Sequence, residues 1–314
     1  MSDPKTTNGA ALIGRDALIT AITTFLAGRD AQVLDEIRDC LGREIDAAGP
    51  AALVRLGRGL AAAGADWEYY PRDPLARRIH QVLADRILLP GSTLIGAEHL
   101  AGLAGRPVVI CANHLSYADA NLLEVLLHRA GADAMCDRLS VIAGPKVYSS
   151  LKRRFSSLCF GTIKTPQSSA LSSEDAVMDP REVARAARRS IDIAHERLRA
   201  GDALLVFAEG RRSRTHEMQT MLAGVTRYLE VPDTLVLPVG IVGTEALFPI
   251  GEDTLHPVRV EVRVGRPIDA QQLRDQAGGD RRVMMDEVGL AVAALLPPEY
   301  RGAYGDPVPE PLGQ

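Results

Sequence analysis

The chain is poor in aromatic residues and in cysteine. Only 4% of its 314 residues are Phe, Trp or Tyr, with a single Trp. That is too few for platforms on which successive nucleic-acid bases stack. Its four cysteines, Cys40, Cys111, Cys136 and Cys159, lie far apart with no C-x-x-C pair. This spacing fits neither a disulfide framework nor a cysteine-based zinc site. There is no excess of positive charge: 36 Lys and Arg stand against 40 Asp and Glu, a net charge of −4. No global field therefore draws in nucleic acid, and any anion site must be local. No window approaches the ~18 apolar residues needed to cross a bilayer. The opening "MSDPKTTNGAALIGRD" has neither the basic nor the apolar region of a secretory signal. The expectation is a soluble, reduced, cytoplasmic protein.

Apolar residues make up 46% of the chain and charged residues 24%, which fits a globular core. Residues 16–63 carry helical periodicity, broken by "AGP" at 48–50. In 31–47, Val33, Leu34, Ile37, Cys40, Leu41 and Ile45 fall on one helical face. A further amphipathic helix is expected over 74–89, ended by Pro90-Gly91. No strand signal precedes about residue 92, so 1–70 reads as a helical subdomain and 71–314 as the main domain. Trp67-Glu68-Tyr69-Tyr70 reads as a packing hinge between them. Strand-like runs follow near 93–95, 107–112, 139–143, 161–165, 203–208, 235–242 and 258–264, with helical runs near 119–130, 181–200 and 217–229. This alternation predicts an α/β fold, with a mixed, largely parallel sheet flanked by helices. The polar stretch 165–180 reads as a surface loop, and the proline-rich tail 305–314 as extended.

In such sheets ligands gather at the carboxyl ends of the strands. Two segments follow strand-like runs. The first is "ANHLSYAD" at 112–119, with His114 and Asp119 five positions apart. An imidazole is the usual general base near neutral pH, and a carboxylate on its other ring nitrogen fixes its tautomer. The spacing alone is weak, since a histidine and aspartate so placed are expected about 0.4 times per chain by chance. Asp119 as a helix cap and His114 as a loop residue is the alternative. The second segment is "ALLVFAEGRRSR" at 203–214. Arg211, Arg212 and Arg214 after a glycine turn form a compact anion site, because guanidinium forks bind phosphate oxygens in pairs. The ordered set Glu-Gly-x-Arg-Ser is expected only ~0.01 times in such a chain. Both segments are expected at one edge of the sheet.

"NHLSYAD", then "FAEGRRSR", then "VLPVGI" at 236–241 resemble the PlsC-like glycerolipid acyltransferases over roughly residues 75–270. The plan is similar to that of the soluble plastid-type glycerol-3-phosphate acyltransferases. The resemblance implies that His114 is the base and Asp119 its orienting acid. It puts Glu209, Gly210, Arg211, Arg212, Ser213 and Arg214 in the acceptor and phosphate site, Pro238 at the acyl site and Lys164 as a further phosphate contact. "GTEALFP" at 243–249 also looks like family sequence. Two positions depart from the family's F-P-E-G-T-R-S-R, with Ala208 for proline and Arg211 for threonine. The implied reaction moves a fatty acyl group from acyl-CoA or acyl carrier protein to the hydroxyl of glycerol 3-phosphate. The oxyanion is expected to be held by backbone N–H groups near Gly210 or the helix start. Neither metal nor cofactor is called for beyond the acyl thioester. A lysophospholipid acceptor, a specialised metabolite acceptor, or a non-catalytic acyl-chain or carrier-binding protein are the alternatives.

Ser116 lies beside His114 but has no G-x-S-x-G elbow around it. Cys111 reads as a buried strand residue. Lys146, Lys152, Arg153, Arg154 and Lys164 lie in a stretch with no acid between 146 and 164. It is either a solvated helix face or a docking surface for acidic carrier protein or anionic lipid at the inner membrane face.

Overall fold

The computed structural model describes residues 14–26, 31–166, 179–249 and 255–305. Most of the loop expected at 165–180, and nearly all of the tail expected at 305–314, lie outside the described residues. The chain begins with three helices, α1 (Arg15–Leu26), α2 (Ala31–Ala48) and α3 (Pro50–Ala62). Ile37, Leu41 and Ile45 of α2 and Leu56 and Leu60 of α3 are all buried. They share one continuous apolar core with the strands that follow.

Two residues, Tyr69–Tyr70, then form strand β1, which pairs antiparallel with a later strand. A two-residue strand is too short to show alternation, so no strand was expected there. Helix α4 (Pro74–Leu83) is capped by Asp73, whose carboxylate accepts the N–H groups of Leu75 and Ala76. It ends six residues before the expected boundary, in a tighter turn over Ala84–Arg86.

The α/β region comprises β2 (Thr93–Ile95), β3 (Val108–Ala112), α5 (Asp119–Arg129), α6 (Asp133–Cys136), β4 (Leu139–Ala143), α7 (Leu151–Ser157), β5 (Gly161–Lys164), α8 (Pro180–Arg199), β6 (Ala203–Phe207), β7 (Leu235–Val242), β8 (Glu261–Val264), β9 (Ile268–Asp269), α9 (Ala270–Gln276) and α10 (Arg281–Ala293). The spatial strand order is β1-β5-β4-β6-β3-β7-β8-β2, with β9 also on β7. The five pairings β2–β8, β3–β6, β3–β7, β4–β5 and β4–β6 are parallel; β1–β5, β7–β8 and β7–β9 are antiparallel. The sheet is mixed and largely parallel, flanked by helices.

Both faces of the central strand are covered. Val108, Ile110 and Ala112 pack on the side of Leu122, Leu123 and Leu126 of α5. Val109 and Cys111 pack on the side of Ile193 and Leu198 of α8 and Val288 of α10. This alternation is the period-2 geometry of a strand buried on both sides. Helix α5 is buried from Asp119 to Leu127, which explains its near-continuous apolar sequence.

The helix expected over 217–229 is not formed. Only Ala223–Leu229 winds, as a tight 3-10 segment. The preceding N–H groups have tertiary acceptors instead: Met218 donates to the Tyr300 carbonyl and Leu222 to that of Ala208, both at 2.8 Å. Gln219 donates to the Glu209 carboxylate at 2.7 Å. Such donors cannot also close an i→i−4 ladder.

Candidate active site

Strands β3, β6 and β7 run parallel, with Ala112 level with Phe207 on one side and Val239 on the other. The segments that leave their carboxyl ends are therefore neighbours. Residue 113 begins the join. The Asn113 amide donates to the Ile241 carbonyl and accepts the Ile241 N–H, each at 2.8 Å. This ties the start of the turn to β7 with every polar atom of that side chain buried.

His114 follows. Its Nδ1 lies 2.8 Å from Asp119 Oδ2. The same oxygen accepts the backbone N–H of Leu115 at 2.7 Å and of Ser116 at 2.9 Å. The other oxygen, Oδ1, accepts the Thr244 hydroxyl at 2.5 Å. Asp119 is fully buried and occupies the first helical position of α5, the cap being Ala118. Its carboxylate reaches back to the turn rather than forward into the helix. With an acceptor at Nδ1 the neutral ring carries its proton there, leaving Nε2 as the basic nitrogen. The ring stacks on Phe207 at 4.2 Å, tilted by 20°, which holds its plane.

Thr244 follows β7 as His114 follows β3. Gly243 has φ +92, and a Cβ there would stand 2.2 Å from the Arg259 carbonyl oxygen. Only glycine allows this turn, which delivers the Thr244 hydroxyl to Asp119.

The Glu209 carboxyl lies beneath the second seam and is buried. Its Oε1 accepts the His114 N–H at 2.8 Å and its Oε2 accepts the Gln219 N–H at 2.7 Å. Burial pushes its pKa up to about 7, and the two N–H donors offset part of that rise. The family-derived role in acceptor binding is thus corrected. With both oxygens committed to backbone donors, Glu209 braces the His114 loop against the arginine turn and does not line the cavity. That turn needs a left-handed residue at Gly210, φ +73. It is also bonded to the loop directly, since the Ser213 N–H donates to the His114 carbonyl at 2.8 Å.

A cavity of about 1220 Å³ opens at this edge, lined by His114, Tyr117, Gly210, Arg211, Arg212, Ser213 and Arg214 and by the apolar Leu122, Phe155 and Leu247. Its wall combines polar and apolar side chains. Arg211 is steadied by Gln219, Nε to Oε1 2.5 Å. Arg212 lies over the Tyr117 ring, 5.0 Å from its centre. Neither Arg212 nor Arg214 has a carboxylate partner among the described residues.

Three further expectations are corrected. Lys164 does not join the arginines: its ammonium donates to the Gly64 carbonyl at 2.6 Å and sits 4.4 Å from the centre of the Trp67 ring. Burial lowers its pKa. It fastens β5 to the segment before β1. Pro238 lies on the opposite face of β7, packed on Gly265, and its carbonyl accepts the Gly265 N–H at 2.9 Å. It falls between the pairings of β7 with β9 and with β8, so its missing N–H costs no ladder bond. The Gly210 N–H donates to the Phe207 carbonyl at 3.0 Å, so it is taken by the turn itself and is not available to an oxyanion.

Cys111 is fully buried, and burial pushes its thiol up to about 12. Ser116 is buried in the turn, with its Oγ accepting the Ala118 N–H at 3.3 Å. Neither is presented as a nucleophile. Thr244, Phe207 and Tyr117 were not singled out from sequence. The usable signal for Thr244 was its position two residues past a strand's end, as for His114.

The fold and these contacts define an α/β protein with a histidine–carboxylate relay beside an arginine-rich turn. This chain is similar over residues 92–242 to the family model described as Acyltransferase. No curated protein matches it. Six chains of solved structures do. One is the crystal structure of the 1-acyl-sn-glycerophosphate (LPA) acyltransferase PlsC from Thermotoga maritima, at 17% identity and a TM-score of 0.47, with 90% of this chain and 88% of that chain covered.

Proposed function

We propose that the protein moves a fatty acyl group from an acyl thioester, acyl-CoA or acyl carrier protein, to the hydroxyl of a glycerol phosphate, with glycerol 3-phosphate as acceptor. The observation that carries this reading is the His114–Asp119 contact at 2.8 Å, in a cavity that Arg211, Arg212 and Arg214 also line. The acceptor's phosphate docks on the guanidinium groups, which brings its hydroxyl beside His114. Nε2 takes the hydroxyl proton as the oxygen bonds to the thioester carbon. Asp119 stabilises the imidazolium. The tetrahedral intermediate collapses with cleavage of the carbon–sulfur bond, and the imidazolium returns the proton to the departing thiolate. The products are an ester and a free thiol, and His114 is regenerated.

One observation favours an acceptor that already carries a chain. At about 1220 Å³ the cavity exceeds the ~300–1,000 Å³ of most small-ligand sites. A 1-acylglycerol 3-phosphate uses that volume better than glycerol 3-phosphate does. A screen of both acceptors against both donors, read by thiol release, distinguishes the two. His114→Ala is expected to remove thiol release that depends on acceptor. Full activity in that variant would overturn the mechanism.

A further inference from the structure

Tyr117, the fourth residue of "HLSYAD" from His114, is 41% exposed at the cavity wall. Its ring carries two guanidinium groups. Arg212 from the turn after β6 lies 5.0 Å from the ring centre, and Arg153 from α7 lies 4.8 Å from it. The two residues belong to different elements, and both line the cavity. Two like charges held on one small ring, with no carboxylate pairing either among the described residues, repel each other. Arg153 donates only to the Lys146 carbonyl at 3.1 Å and the Ser149 hydroxyl at 3.2 Å, both through Nη1. Its remaining N–H groups, like those of Arg212, have no acceptor among the described residues.

We infer that Arg153 and Arg212 form a paired clamp for one phosphate monoester, with Tyr117 as the positioning residue that sets their spacing. This rests on the reading of the site as an acyltransferase and assigns its acceptor specificity. Both guanidinium carbons lie within 5.0 Å of the Tyr117 ring centre, so they are less than about 10 Å apart. A phosphate bonded to both holds them no more than about 8 Å apart, each roughly 4 Å from phosphorus. The Tyr117 ring centre lies 6.5 Å from that of His114, in an edge-on arrangement, so the two guanidinium groups flank a ring next to the base. A phosphate monoester, with two charges and three terminal oxygens, satisfies two forks. A phosphodiester or an uncharged glycerol does not.

The test combines titration calorimetry with kinetics. The probes are glycerol 3-phosphate and a short-chain 1-acylglycerol 3-phosphate below its micelle concentration, with glycerol and 1-monoacylglycerol as uncharged controls. Arg153→Gln is expected to weaken binding of the phosphorylated probe that the wild type binds by ten- to a hundredfold, and to raise acceptor KM equally with donor KM shifted less than twofold. Tyr117→Ala should weaken the same probe about tenfold, and Tyr117→Phe, which keeps the ring face, should restore it. Unchanged affinity in Arg153→Gln, or equal loss for donor and acceptor, overturns the clamp while leaving the reaction class intact. Binding of a phosphate monoester that depends on Arg153, with no acyl transfer from any donor, upholds the clamp and defeats the acyltransferase reading. If the wild type binds neither phosphorylated probe, the clamp is wrong.

Discussion

The hydroxyl of Thr244 donates to Asp119 at 2.5 Å, joining residues 125 positions apart inside the buried base of the site. Asp119 thus accepts four donors: this hydroxyl, two backbone N–H groups and the imidazole. Donors on both oxygens fix the carboxylate in place, and with it the orientation of the imidazole.

Asp119→Asn is expected to lower kcat by ~10³–10⁴-fold, because an amide cannot accept at every position and turns the ring to the wrong tautomer. Thr244→Val keeps the shape but leaves one carboxylate oxygen without its donor. The expected stability cost is about 1–3 kcal/mol, read from urea midpoints, together with a smaller loss of kcat than in Asp119→Asn. A Thr244→Val variant with unchanged midpoint and rate would rule out this support.

The Glu209 carboxyl predicts a pH effect on stability. Its folded pKa is raised to about 7, above an ordinary value of 4.5. Between those values the folded chain holds a proton that the unfolded chain has released. Stability from this group is therefore full below about 4.5 and is lost as pH rises to about 7, by up to roughly 3 kcal/mol. Glu209→Gln should remove that dependence. It should also be less stable than the wild type at pH 5, since its amide N–H₂ faces a backbone N–H. Parallel stability profiles for the two proteins from pH 4 to pH 8 would refute this.

Thiol labelling tests the burial of the strand cysteines. Burial raises Cys111 and Cys136 to about 12 and holds Cys159 well above the ordinary thiol value, while Cys40 is partly exposed. At pH 8 the native protein should react with a disulfide reagent at Cys40 alone, and at all four sites once denatured. Rapid labelling of Cys111 in the folded protein would contradict this placement.

Lys164→Met should destabilise the protein by about 1–2 kcal/mol, through loss of the bond to Gly64 and the contact with Trp67, yet leave acceptor KM within twofold of the wild type. A large rise in acceptor KM would return Lys164 to the phosphate site.

Much of the architecture is written locally. Continuous apolar runs mark β3, β6 and β7, which are buried on both faces, and 3.6-residue periodicity marks α2, α4 and α8, which bury one face. His114 and Asp119 are legible for a related reason: they lie within one turn, so the chain's own geometry brings them together. Residues 217–222 misled the periodicity because their N–H groups bond to Glu209, Ala208 and Tyr300, partners that no local window contains. The two tyrosines of β1 were unreadable as a strand for the same reason, since only pairing with β5 makes them one.

Residue types and order along the chain determined the α/β class, the strand-end positions of both seams and the pairing of His114 with Asp119. Tertiary structure alone decided which way the remaining side chains act. It turned Glu209 inward as a brace, sent Lys164 to Trp67 and Pro238 to the far face, and brought Thr244 and Arg153 into the site. The physical reason is that a side chain's role depends on which neighbour satisfies it. For these residues that neighbour lies across the sheet or across the cavity, beyond the reach of any spacing along the chain.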